Sequence, residues 1–174
     1  IYLNTASSLD LVLFRQNAPS EQERSYTAKL QRGSYSANPI SYCAILDIEG
    51  VEQRIGYLVY TSFESSYNAE LEAALAALKA EGVEELILDL RCNSGGSVSS
   101  AVLLCSAIWG NAHEGELLFE LRRNPKNLSS NTTSQCLADT TDASLELDRL
   151  TVIASGYSAS ASEIIIEGMR GLDI

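Results

Sequence analysis

Glu85-Leu86-Ile87-Leu88-Asp89-Leu90-Arg91-Cys92-Asn93-Ser94-Gly95-Gly96, followed by the apolar run from Val98 to Trp109, is the stretch whose reading decides the fold. Leu86-Ile87-Leu88 is a short apolar run of the length and composition of a buried parallel strand. Asn93-Ser94-Gly95-Gly96 has the residues of a tight turn. Val98 to Trp109 then reads as an apolar helix. The same order returns later: Leu150 to Ala154 as a buried strand, a Ser- and Gly-rich turn, and a helix from Ser160 to Met169. Repeated strand, turn and helix units argue for an α/β fold with largely parallel strands.

Upstream, Leu71, Ala74, Leu75 and Leu78 fall at helical spacing within Glu70 to Lys79, with good helix formers between them and Gly82 as the stop. Strand-like runs precede this helix at Ser41 to Ile48 and Arg54 to Tyr60. Two more, Leu9 to Phe14 and Tyr26 to Leu30, flank a polar stretch and read as a hairpin with a long loop. A break follows at Gly33 to Pro39. Residues 110–146 are polar and irregular, with short strand candidates such as Glu116 to Leu121.

The chain has 174 residues, 45% of them hydrophobic, enough for a real core. Twelve basic residues stand against 23 acidic ones, for a net charge of −11. This argues against a nucleic-acid partner, which needs clustered Lys and Arg, and disfavours anionic membranes. No apolar run is long enough for a membrane span. The chain opens on Ile1-Tyr2-Leu3 and closes on Gly171-Leu172-Asp173-Ile174, straight after a helical run; both ends read as cuts through structure. Cys43, Cys92, Cys105 and Cys136 show no CxxC spacing, which weakens zinc and thioredoxin-like readings. Cys105 sits in an apolar helical pattern and reads as a core residue. Spacing assigns no disulfide.

Two turns carry residues suited to chemistry. The Gly95-Gly96 pair permits positive φ and close approach of another chain, and free amides there could donate to an anion or oxyanion. A tight turn held by an Asp89–Arg91 pair is the plain structural alternative. In the second turn, Ser160 opens a helix, at the positive end of its dipole and beside a free amide. Ser160-Ala161-Ser162-Glu163 also fits a capping box, with Ser160 as N-cap and Glu163 as N3. The lone histidine, His113, lies in a polar loop beside Glu114 and reads as a solvated side chain. The lysines, Lys29, Lys79 and Lys126, all precede Ser160.

Taken together, the two turns resemble the tail-specific (C-terminal processing) serine proteases, the S41 peptidases. Asp89-Leu90-Arg91 leading to Gly95-Gly96 is similar to that family's strand-turn motif. Ser158-Ala159-Ser160-Ala161-Ser162-Glu163-Ile164 looks like its nucleophile motif, and Ile55-Gly56-Tyr57 opens the core as the family does. Order and spacing agree over residues 55–174, with a variable insertion near 110–146.

The resemblance implies a ClpP/crotonase-like α/β core over residues 35–174, truncated at its C-terminal end. Residues 1–34 would be the last strands of a PDZ-like domain. It implies a serine endopeptidase without cofactor or metal, with Ser160 as nucleophile and backbone N–H groups of Ala161 and of Gly95 or Gly96 as the oxyanion hole. Asp89 and Arg91 would hold the first turn. The family's Ser-Lys dyad places its lysine beyond Ile174, so this chain alone would be inactive. The substrate would be a polypeptide, bound by its C-terminus if the PDZ likeness holds, in an extracytoplasmic compartment such as the bacterial periplasm. The alternatives are a non-catalytic peptide-binding or scaffolding relative, an acyl-CoA enzyme of the crotonase type, which the −11 charge makes less attractive, and a generic α/β hydrolase, for which Ser158 to Ser162 lacks the Gly-x-Ser-x-Gly elbow.

Overall fold

The computed structural model describes residues 7–33, 35–122, 126, 133–147, 149–172 and 174. They fall into two compact units, residues 1–37 and 38–174. The first is an antiparallel hairpin of β1 (Ser8–Phe14) and β2 (Ser25–Gln31), in register from Ser8 opposite Gln31 to Phe14 opposite Ser25. Its predicted strands and long polar loop are both present.

The second unit is built on a four-stranded sheet of order β3-β4-β5-β8. β3 (Ile40–Leu46) runs antiparallel to β4 (Ile55–Tyr60). β5 (Glu85–Asp89) lies parallel to β4, and β8 (Arg149–Ile153) parallel to β5. α1 (Asn68–Ala80) connects β4 to β5, and α2 (Val98–Trp109) follows β5. β6 (Leu117–Arg122) and β7 (Thr133–Leu137) form a separate antiparallel pair, and α3 (Ala161–Gly171) follows β8.

Local chemistry explains these elements. α1 carries Glu70 in its first turn and Lys79 in its last, each sign matching the nearby end of the helix dipole. Of the predicted stripe it buries Leu71, Leu75 and Leu78, with Ala74 half-buried. α2 is apolar nearly all round and buries Ala101, Leu104, Cys105, Ala107 and Ile108, which places it inside. Leu58 and Tyr60 of β4 and Leu86 and Leu88 of β5 join the same core. Tyr60 meets the Phe63 ring edge-on, with centroids 4.8 Å apart.

One expectation is corrected. Both parallel strands read as buried, but β5 has Glu85 and Ile87 only half-buried beside the buried Leu86 and Leu88, and β8 has no buried residue, alternating the exposed Arg149 and Thr151 with the half-buried Leu150 and Val152. Alternation of this kind means the helices cover one face of the sheet more fully than the other. β7 had no signal in the sequence, because Thr133-Ser134-Gln135 is polar and its alternation is weak. Cys105 is buried as expected, and all four cysteines are free thiols.

Leu88 is fully buried on the central strand. Leu88→Ala should lower the unfolding free energy by about 2–5 kcal/mol, as cavity-forming core substitutions do. Urea denaturation followed by circular dichroism measures this; a loss under about 1 kcal/mol would mean that the strand is not at the centre of the core.

Candidate active site

The sheet brings the two turns together, because β5 and β8 are parallel neighbours and each turn leaves the C-terminal end of its strand. Ligand sites in open α/β sheets form at this end. Five hydrogen bonds then lace one turn to the other. The Leu90 amide donates to the Ile153 carbonyl at 2.8 Å, and the Ala159 amide to the Asn93 carbonyl at 3.3 Å. The Ser158 hydroxyl donates to the Leu90 carbonyl at 2.7 Å, and the Ser162 hydroxyl to the Asn93 carbonyl at 2.9 Å. The Ser155 hydroxyl donates to the Arg91 carbonyl.

The first turn has its own anchors. Asn93 is fully buried; its side-chain amide donates to the Tyr60 carbonyl at 2.9 Å and its Oδ1 accepts the Gly95 amide at 2.8 Å. Asp89 is 3% exposed and accepts the Arg91 guanidinium at 2.6 Å, the Arg91 amide at 3.0 Å and the Tyr57 hydroxyl at 2.8 Å. The Arg91 guanidinium, with its amide and the Tyr57 hydroxyl, outweighs burial and holds the Asp89 carboxyl down at about 2. The expected Asp89–Arg91 pair is therefore present, with Tyr57 as a third member that the sequence did not disclose.

Gly95 and Gly96 are required by crowding. Gly95 has φ +100, and a Cβ there would lie 2.6 Å from both the Ser160 Cβ and the Ala159 carbonyl oxygen. Gly96 has φ +140, and a Cβ there would lie 2.2 Å from the Phe63 carbonyl oxygen. That contact belongs to a short parallel bridge, in which the Phe63 amide donates to the Gly95 carbonyl and the Ser97 amide to the Phe63 carbonyl. The two amides of the pair differ. Gly95 N–H is taken by Asn93 Oδ1, whereas Gly96 N–H has no acceptor among the described residues.

The three serines of the second turn differ in the same way. Ser158 and Ser162 spend their hydroxyls on the first turn, while Ser160 is exposed and its hydroxyl makes no hydrogen bond of normal geometry among the described residues. Ser160 has φ 54 and ψ −114, a backbone that a serine rarely adopts. The Glu163 carboxylate accepts the Ser160 amide at 2.6 Å and so fixes this conformation. The reverse contact, the Ser160 hydroxyl facing the Glu163 amide, completes the outline of a capping box but falls short of hydrogen-bond geometry. The Ala161 amide, first in the helix, has no acceptor among the described residues.

A groove of about 610 Å³ leads away from Ser160 between β6 and α3. No lysine, arginine or histidine is among the described residues that line it. His113 stacks on the Trp109 ring at 4.1 Å and approaches Glu116 at 3.3 Å. It is thus partly buried against the end of α2, a correction to the solvated loop residue that its polar neighbours suggested.

The sequence model of Peptidase family S41 matches residues 54–174. The chain belongs to peptidase family S41. Over 148 residues it is 25% identical to a Staphylococcus epidermidis protein named "Probable CtpA-like serine protease", covering 83% of this chain and 28% of that one. It is 30% identical over 103 residues to the C-terminal processing peptidase of the Tetradesmus obliquus chloroplast, covering 55% of this chain and 22% of the other. Among solved structures, an assigned S41 protease of Bacteroides fragilis aligns at TM-score 0.70 and 22% identity, over 94% of this chain and 44% of that one. The photosystem II D1 C-terminal processing protease aligns at 0.62 and 24%, over 95% and 42%. These likenesses show the S41 fold, and this chain spans less than half of each of these relatives.

Two outcomes test this S41 site. Ser158→Ala and Ser162→Ala should each cost about 0.5–1.5 kcal/mol of stability in urea titrations, whereas Ser160→Ala, which removes no such bond, should cost less. An equal loss at all three would contradict the division of roles. Asp89, with a lowered folded-state value, contributes stability that is present above its unfolded value near 4 and lost as the pH falls towards 2. Asp89→Asn should therefore lower stability at pH 7 and flatten its decline between pH 4 and 2; an unchanged slope in acid titration would refute this.

Proposed function

We propose that this chain carries the nucleophile and oxyanion hole of a serine endopeptidase, with Ser160 as the attacking residue. The observation behind this reading is the placement of Ser160. Alone among its neighbouring serines it is exposed with its hydroxyl not committed to the first turn, on a strained backbone, with an unpartnered amide beside it.

In this mechanism the Ser160 Oγ attacks a peptide carbonyl carbon and passes its proton to a neutral base. The tetrahedral oxyanion is held by the Ala161 N–H and a second N–H from the glycine pair. Gly96 is the better donor of the two, since Gly95 N–H already has a partner. Donors of this kind are worth about 3–4 kcal/mol each in serine hydrolases. The C–N bond then breaks as the base returns its proton to the leaving amine, giving an acyl ester on Ser160. Water deacylates it by the same proton route. Asn93, Asp89 and Glu163 position the turns and touch no reacting atom.

The base is the lysine of a Ser-Lys dyad carried beyond Ile174, which is consistent with a groove that lacks any basic side chain among its described residues. A lysine serves this role when burial lowers its pKa enough to keep it neutral. The hairpin of residues 8–31 is assigned to the last strands of a PDZ-like domain, which would present the C-terminus of the polypeptide substrate. An extracytoplasmic compartment suits such a protease. A scaffolding role is less well supported, since the relatives bear protease names.

The full-length protein should cleave an unfolded polypeptide such as casein, and Ser160→Ala should lower the rate by at least about 1000-fold, as removal of a nucleophile does. Circular dichroism should show the variant folded. Activity retained in Ser160→Ala would overturn the assignment.

A further inference from the structure

The Gly96 N–H, the better oxyanion donor of the glycine pair, belongs to the same peptide unit as the Gly95 carbonyl. In a trans peptide these two groups point in opposite directions, and no peptide bond among the described residues is cis. Whatever holds the Gly95 carbonyl therefore aims the Gly96 N–H. The holder is Phe63, whose amide donates to the Gly95 carbonyl at 3.0 Å. The Phe63 carbonyl accepts the Ser97 amide at 2.6 Å, so the chain is fastened on both sides of Gly96.

This peptide unit needs such a hold. Turning it over changes ψ of Gly95 and φ of Gly96, and glycine on both sides removes the Cβ clashes that resist such a turn elsewhere. Turned over, the unit would offer the Gly95 carbonyl in place of the Gly96 N–H, and an oxyanion would meet an acceptor instead of a donor. The second donor is close by: a Cβ on Gly95 would lie 2.9 Å from the Ala161 nitrogen.

Phe63 is itself held from within the core. It is 1% exposed, and its ring meets the fully buried Tyr60 ring edge-on at 4.8 Å. The segment from Tyr60 to Phe63 thus grips the first turn at two points, since the Tyr60 carbonyl accepts the Asn93 side-chain amide at 2.9 Å. The Tyr60 hydroxyl makes no hydrogen bond of normal geometry among the described residues, so the ring is the part of Tyr60 that this packing uses.

We infer that Phe63 is a positioning residue for the reaction: its amide keeps the Gly95–Gly96 peptide in the orientation that offers the Gly96 N–H to the oxyanion, and its ring, packed on Tyr60, keeps that amide in place. Phe63 touches no reacting atom. Its role rests on the proposed peptidase activity and lies in stabilising the transition state, not in binding substrate.

The test uses the full-length protein, an internally quenched peptide with a sequence cleaved in casein, and two inhibitors of that sequence that end in an aldehyde or in the matching alcohol. Addition of the Ser160 Oγ to the aldehyde gives a tetrahedral adduct whose oxygen takes the oxyanion's place; the alcohol binds without one. Phe63→Leu and Phe63→Ala should lower kcat by at least about tenfold, a fraction of the roughly 100- to 1000-fold that one oxyanion donor supplies. KM should stay within about twofold. The inhibition constant of the aldehyde should rise by the factor by which kcat/KM falls, while that of the alcohol stays unchanged; a general loosening of the fold would weaken both. Tyr60→Phe, which keeps the ring, should retain the rate that Tyr60→Leu loses, and this pair decides the matter if the Phe63 variants do not fold. A kcat within about twofold of wild type in the folded Phe63 variants, or equal weakening of aldehyde and alcohol, overturns the role of Phe63 alone. Cleavage of the same peptide by Ser160→Ala overturns the reading of the site, and the role of Phe63 with it.

Discussion

Asn93 is the residue through which the two turns become one site. Its side chain ties the first turn to the end of β4 through the Tyr60 carbonyl and shapes that turn through the Gly95 amide. Its carbonyl accepts both the Ser162 hydroxyl and the Ala159 amide of the second turn. A fully buried polar side chain with every contact satisfied is rigid, because breaking any one of them leaves an unpaired group away from water. The position of Ser160 relative to the glycine pair follows from this lacing more than from any direct contact at Ser160 itself.

The same lacing explains the strained backbone at Ser160. Ser158 and Ser162 are fastened on either side of it, and Glu163 holds its amide from the helix. Residues kept in sparsely populated φ/ψ regions persist only where their surroundings over-determine them, and such places gather at functional sites. Gly95 lies against Ser160 so closely that no side chain fits between them. The arrangement leaves the Ser160 hydroxyl exposed at the mouth of a groove and the Gly96 and Ala161 amides without acceptors among the described residues, and commits the neighbouring polar groups to structure.

Much of this was legible in the sequence, for identifiable reasons. Apolar runs bounded by glycines gave the order of strands and helices, and the motif around Ser160 singled out the middle serine. The hydrogen bonds of Ser158 and Ser162 supply the physical reason that the motif alone could not. Asn93 was visible only as a turn residue, although an Asn two residues before a Gly is a pattern for a side-chain-to-backbone turn. Its reach to Tyr60 depends on β4 and β5 being neighbours, which no local pattern encodes. Tyr57 was hidden for the same reason. β7 was missed because its polar residues give no alternation, and the groove was invisible because it needs β6 to lie beside α3, which no local pattern encodes. His113 was read from its polar neighbours, when Trp109 one helical turn away decided its place.

Ser160 is proposed as the single activated hydroxyl of this structure. A serine-reactive fluorophosphonate applied to the full-length protein, with the adduct located by tandem mass spectrometry, addresses it most directly. Modification is expected at Ser160 and at no other serine, reduced when Asn93→Ala loosens the two turns. Modification at Ser158 or Ser162, or labelling that persists in Ser160→Ala, would contradict it.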